Sequence, residues 1–106
     1  MRLNPFPPNW YFWILGDAYF FAERYNEAVV EYNKALAQSP DFLLARLGLA
    51  ACHSLLGREK DAADTVMKVR DTDPKFSLDF FEMSLPYKEQ AYKERLISAL
   101  RKAGLT

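Results

Sequence analysis

A shift of 34 residues lays one stretch of this chain over the next, and that period limits what the chain can fold into. Between Asn9 and Phe42 stand Phe12, Leu15, Gly16, Tyr19, Ala28, Tyr32, Ala35 and Pro40. At the same offsets in the following stretch stand Arg46, Leu49, Ala50, His53, Ala62, Val66, Val69 and Pro74. Leu49, Ala62 and Pro74 keep their type, Ala50 keeps small size, and Arg46 and His53 depart. Each unit reads as two packed helices. Leu15 and Tyr19 lie four apart and share a face, where small Gly16 admits a neighbour closely. Ala28, Tyr32 and Ala35 give a second helix a matching stripe. Pro40 stops that helix, because its ring and missing N–H forbid continuation. Gly16 and Ala28 against bulky Tyr19 and Tyr32 let the two helices interdigitate antiparallel.

The expected fold is all-α: antiparallel helical hairpins stacked as a short solenoid with a C-terminal capping helix. Residues 1–8 form an extended lead-in, since Pro5, Pro7 and Pro8 disfavour helix before them. One domain follows over 9–106, with repeats 9–42 and 43–76 and a degenerate third hairpin and cap over 77–106. Helices are expected from Asn9 to Ala22, Asn26 to Gln38, Phe42 to Leu56 and Glu59 to Asp71. Asn26 and Asp41 stand where N-caps belong, and Gly57 where a left-handed C-cap does. In the fourth helix Ala62, Val66 and Val69 face inward, and Lys60, Asp61, Asp64, Lys68 and Arg70 face water. A short helix from Ser77 to Ser84 is cut off by Leu85-Pro86. The last, Lys88 to Ala103, turns Tyr92, Leu96, Ala99, Leu100 and Ala103 inward, as the closing helix of a repeat array must.

The first helix is apolar nearly all round: Trp10, Tyr11, Phe12, Trp13, Ile14, Leu15, Tyr19, Phe20 and Phe21 leave Asp17 as its one charge. Such a helix is covered on more than one side. Arg2-Leu3-Asn4-Pro5 is similar to the close of a preceding repeat, so the chain reads as a fragment of a longer array.

Fourteen basic side chains balance fourteen acidic ones, which removes the long-range field that nucleic acid or an anionic membrane needs. One cysteine, Cys52, excludes an internal disulfide, and no apolar run approaches the ~20 residues of a membrane span. With no signal peptide at its start, the chain is expected to be soluble and cytoplasmic. Cys52, His53 and Ser54 are the candidates for catalysis. Sequence neighbours on a helix do not face each other, and no second histidine exists to serve as base. One Cys and one His are too few for a soft-metal site, and the glycines are too scattered for a phosphate loop. The chain is therefore expected to be no enzyme, with no cofactor, no metal and no small-molecule substrate.

The eight-position pattern resembles the tetratricopeptide repeat, whose signature runs aromatic, Leu-Gly, Tyr, Ala, Phe, Pro. The resemblance implies a domain that binds a protein or peptide on a concave face lined by the first helix of each hairpin. Those positions hold Trp10, Trp13, Asp17, Phe20 and Phe21, then Leu44, Leu47, Ala51, Ser54 and Leu55, then Leu78, Phe81 and Leu85. Chaperone-binding members clamp a terminal carboxylate with Lys, Asn and Arg. The matching positions here hold Trp13, Asp17, Gly48, Leu78 and Glu82, which cannot do so, and this disfavours chaperone tails.

Three coverings fit the aromatic surface: a partner's peptide or helix, a second copy of the chain as a homodimer, or a preceding repeat. Phe76-Ser77, Leu85-Pro86-Tyr87-Lys88 and Leu100-Arg101-Lys102-Ala103-Gly104-Leu105, with Leu3-Asn4-Pro5 and Trp10-Tyr11, are similar to the C-terminal repeats of bacterial class III adenylate or guanylate cyclases and of winged-helix transcription regulators. The expected function is a non-catalytic protein-interaction module. The alternative is a regulatory or spacer module at the end of such a signalling protein.

Overall fold

In the computed structural model, residues 9–84 and 90–105 are described, and they form six helices and no strand. These are α1 (Asn9–Phe21), α2 (Tyr25–Gln38), α3 (Leu43–Leu55), α4 (Glu59–Thr72), α5 (Leu78–Ser84) and α6 (Gln90–Ala103). The expected lead-in over 1–8 and the Leu85-Pro86 break lie outside the described residues, as does the Tyr92 side chain.

The 34-residue period is more regular in the backbone than in the side chains. Glu23 and Gly57 occupy equivalent positions, and both are left-handed, at φ 62° and 77°. The chain then closes on itself in the same way, Arg24 N–H donating to Tyr19 O and Arg58 N–H to His53 O, each at 2.8 Å. At the far end of each hairpin, Ser39 donates to Ala35 O and Asp73 to Val69 O, both at 2.9 Å. Both helices that follow the left-handed turns begin without a side-chain cap, at Arg24 and Arg58. Asn26 is therefore not the cap of α2; its Oδ1 accepts from Arg58 Nη2 at 3.0 Å and ties the two turns together. Nor does Asp41 cap α3, whose N-cap is Phe42 with no side-chain hydrogen bond.

Helix α3 is the central element, packed against α1, α2, α4 and α6. Its composition explains why: Ala45, Gly48, Ala50, Ala51, Cys52 and Ser54 are small, all are buried, and helices can approach them on every side. Tyr32 of α2 fills the angle between α1 and α3. A Cβ built on Gly16 would stand 2.6 Å from the Tyr32 ring, and one on Gly48 would stand 2.4 Å from it. The phenol reaches past both glycines and donates to Asp17 Oδ1 at 2.5 Å. Ala62, Val66 and Val69 are buried in α4, while Lys60, Asp61, Asp64, Lys68 and Arg70 are exposed, as the pattern required. Helix α5 begins with the Ser77 hydroxyl accepting from Phe80 N–H at 3.3 Å. Helix α6 ends in a left-handed Gly104 at φ 114°, and Leu105 N–H then donates to Leu100 O, so that the Leu105 side chain is buried.

Two stability outcomes follow. Gly48→Ala drives a methyl into the Tyr32 ring and should cost about 1–3 kcal/mol in urea unfolding. Glu23→Gly should gain about 1 kcal/mol by the same measurement, because a side chain at positive φ is strained where glycine is not.

Candidate functional site

The concave face expected from the sequence divides into an open half and a covered half. At the amino-terminal ends of α1 and α3, Trp10 is 54% exposed and Leu44 is 39% exposed. Trp13 is half-buried, its ring 5.7 Å from that of Phe42. Asp17 lies one turn further on, half-buried and holding the Tyr32 hydroxyl. Lys34 Nζ sits 5.7 Å from the Phe12 ring on the neighbouring side of the same hairpin.

The carboxyl-terminal half is different. Phe20, Leu47, Ala51 and Ser54 were expected to line an open groove, and all four are buried. Phe20 has no exposed surface and meets Tyr25 edge-on at 5.5 Å. Phe20, Leu47 and Ala51 share one apolar cluster with Leu96, Ile97, Ala99 and Leu100 of α6, and α6 packs directly on α3. The closing helix therefore covers part of the face that it was expected only to cap. Phe21 and Leu55, at the rim, stay exposed.

The third hairpin is also rearranged. Leu78 is fully buried rather than lining a groove, and Phe81 is half-buried beside Phe76, with ring centroids 5.8 Å apart. Leu43, Phe76, Phe80, Phe81, Asp73 and Lys75 surround an open hollow of ≈ 640 Å³. The run Phe76 to Phe81 was the available signal for it; Leu43 of α3 supplies the one wall that is distant in sequence.

A second apolar surface lies on the outer side of α1. Tyr11 and Ile14 are 43% and 50% exposed. Their counterparts in α3, Ala45 and Gly48, are buried, Gly48 against the Tyr32 ring of α2.

The polar candidates for chemistry are poorly placed. Burial pushes the Cys52 thiol up to about 12, and the nearby Asp17 carboxylate pushes the same way, so the thiol is protonated at neutral pH. Burial lowers the His53 imidazole below its ordinary value; Asp61 opposes that shift and Arg58 adds to it. His53 Nδ1 and Ser54 Oγ are buried without a hydrogen-bond partner. Among the described residues no group of three or more His, Cys, Asp or Glu side chains is close enough to hold a metal ion, and no helix is long and apolar enough to cross a membrane.

Residues 20–78 match the family model described as tetratricopeptide repeat, which is more than half of the chain. The chain belongs to the tetratricopeptide repeat family. The matched residues run from the end of α1 through α2, α3 and α4 to the start of α5, so most of α1 and all of α6 lie outside them. The chain is also 31% identical over 62 residues to Hsp70-Hsp90 organizing protein 3 of Arabidopsis thaliana, a similarity that covers 58% of this chain and 11% of that protein. Tetratricopeptide repeat domains generally mediate protein–protein interaction, and membership points to an interaction module rather than a catalyst.

Cys52 should resist iodoacetamide in the native protein at pH 8 and react in denaturant. His53, whose folded-state value lies below the unfolded one, contributes stability above about pH 6.5 that is lost as the pH falls through the unfolded value toward the folded one. Denaturation midpoints measured between pH 7.5 and 5 should fall on acidification, and less steeply in His53→Tyr.

Proposed function

We propose that this tetratricopeptide repeat domain is a non-catalytic recruitment module that holds a protein or peptide on the open half of its concave face. The observation that carries the reading is the exposed Trp10 beside half-buried Trp13, with Asp17 next along the same helix. Large aromatics supply most of the energy at protein interfaces, and Trp13 is already oriented by Phe42. The Asp17 carboxylate favours a partner that presents a basic or hydroxyl group among apolar side chains. A free carboxylate tail is a poor match: Trp13, Asp17, Gly48, Leu78 and Glu82 offer no cation, Gly48 is packed against Tyr32 and Leu78 is buried. The likeness to a chaperone-organizing protein therefore supports protein binding by this chain without its relative's partners.

Self-association through the same tryptophans is the form of this reading that needs no second protein, and a soluble cytoplasmic setting fits it. A second reading makes the module the regulatory end of a larger bacterial cyclase or transcription regulator. It is favoured by the run Leu100-Arg101-Lys102-Ala103-Gly104-Leu105, which forms the last turn of α6 and its left-handed stop. That run has a structural use in this chain, so it carries less weight than exposed Trp10 beside half-buried Trp13.

The deciding experiment pairs light scattering across concentration with capture from native extract, for the wild type and for Trp10→Ala/Trp13→Ala. The double variant should stay folded and weaken either self-association or capture at least tenfold, which is about 1.4 kcal/mol or more. Unchanged mass and unchanged capture would overturn the reading.

A further inference from the structure

The hollow beside α5 combines three phenyl rings with two charges of opposite sign. The rings of Phe76 and Phe81 are tilted by 45°, with centroids 5.8 Å apart, and Leu43 closes the side formed by α3. Phe80 completes the apolar lining, although it is 72% exposed. Asp73 and Lys75 border the same space, the first half-buried and the second exposed. Asp73 Oδ1 accepts from Lys75 N–H at 3.3 Å, which orients the carboxylate, and no ion pair among the described residues uses either charge. The turn is braced independently of any ligand, since Phe76 N–H donates to Asp73 O and Phe81 N–H to Ser77 O, both at 3.0 Å. At ≈ 640 Å³ the hollow has the size of a small-molecule site, and like such sites it is mostly apolar with a few fixed polar groups.

The lining limits the occupant. An uncharged apolar molecule would take water from the half-buried Asp73 carboxylate and give it no partner. A cation would suit Asp73 and the faces of the phenyl rings but would meet Lys75, and an anion would suit Lys75 but would meet Asp73. A molecule that carries an ammonium and a carboxylate on one carbon of an apolar body answers both charges and the rings at once. We infer that the hollow binds a free apolar α-amino acid, its ammonium on Asp73, its carboxylate on Lys75 and its side chain among Phe76, Phe80 and Phe81. Ser77 Oγ accepts from Phe80 N–H at 3.3 Å and so keeps its own proton to donate to that carboxylate. The exposed ring of Phe80 then has a use, losing its water only when the ligand arrives.

This ligand differs from the partner proposed for Trp10 and Trp13 in kind and in place. A residue inside a peptide carries neither charge and a terminal residue carries one, so the pair of charges selects the free amino acid. The two sites share no residue, and either can fail alone. Lys75 is exposed and its charge is screened by water, so the affinity is modest.

The test titrates L-phenylalanine into the full, isotope-labelled chain and follows the amide chemical shifts. Phenylalaninamide, which keeps only the ammonium, and N-acetylphenylalanine, which keeps only the carboxylate, stand in for the two ends of a peptide. L-Phenylalanine should move the amides of residues 73–81 with a dissociation constant on the order of 1 mM, and each analogue should bind at least about fivefold more weakly. Asp73→Asn and Phe80→Ala should each weaken phenylalanine binding about three- to tenfold. Both variants should stay folded, because Phe80 is largely in solvent and Asp73→Asn keeps the oxygen that accepts from Lys75 N–H. No shift up to about 20 mM phenylalanine, binding of either analogue as tight as that of phenylalanine, or an affinity that neither variant changes would overturn the inference.

Discussion

The ring of Tyr32 is wedged between two backbones, and the relation of the two hairpins depends on it. Helix α2 must touch α1, its partner within the hairpin, and α3, the first helix of the next one. Gly16 and Gly48 give way to the same ring from the two sides, and any larger residue at either would push one helix outward. The hydroxyl is carried to Asp17, so the polar end of a side chain with almost no exposed surface still has an acceptor. One residue thus sets the angle within a hairpin and between hairpins. By fixing Asp17, it also couples the core to the concave face.

Much of this arrangement was legible in the sequence, because its causes are local. The apolar stripes of α2 and α4, the stops at Pro40 and Pro74 and the left-handed Gly57 follow from periodicity and backbone sterics, and the helices begin and end within a residue or two of expectation. Gly16 was legible as a close approach. Gly48 was not: its counterpart in the first repeat is Ile14, and only the position of α2 shows that it makes room for Tyr32. Glu23 was equally hidden. Nothing in a glutamate announces a positive φ, which the return of the chain imposes at the position where the second repeat has glycine. Asn26 and Asp41 misled because capping residues were judged by type alone, while Arg58 drew Asn26 into a tie between turns.

The concave face was legible as a set of positions but not as a surface. Family geometry placed Trp10, Trp13, Asp17, Phe20, Leu47, Ala51 and Ser54 on one side of two helices. It could not say that a third helix would lie over four of them. That outcome turns on α5 being only seven residues long, which leaves the third hairpin unable to extend the stack and frees α6 to turn back over α3. The amphipathic pattern of α6 fitted a helix at the end of the stack and a helix laid over α3 equally well. Arg95, which reaches the Phe20 carbonyl oxygen near the end of α1, was the one residue that distinguished them, and its meaning depended on knowing how far α1 was.

The bridge from Arg95 to Phe20, a hydrogen bond of 3.4 Å from α6 to the last turn of α1, also orders events in time. The two hairpins close through tight turns, whereas this contact joins residues 75 apart in the chain. The entropy of closing so long a loop makes it a late contact, formed on a platform that α1 to α4 have already built. On the ribosome that interval is real: the first four helices emerge while the groove floor is still bare. Until α6 is made, Phe20, Leu47 and Ala51 lack the cover it gives them, and its docking ends that exposure.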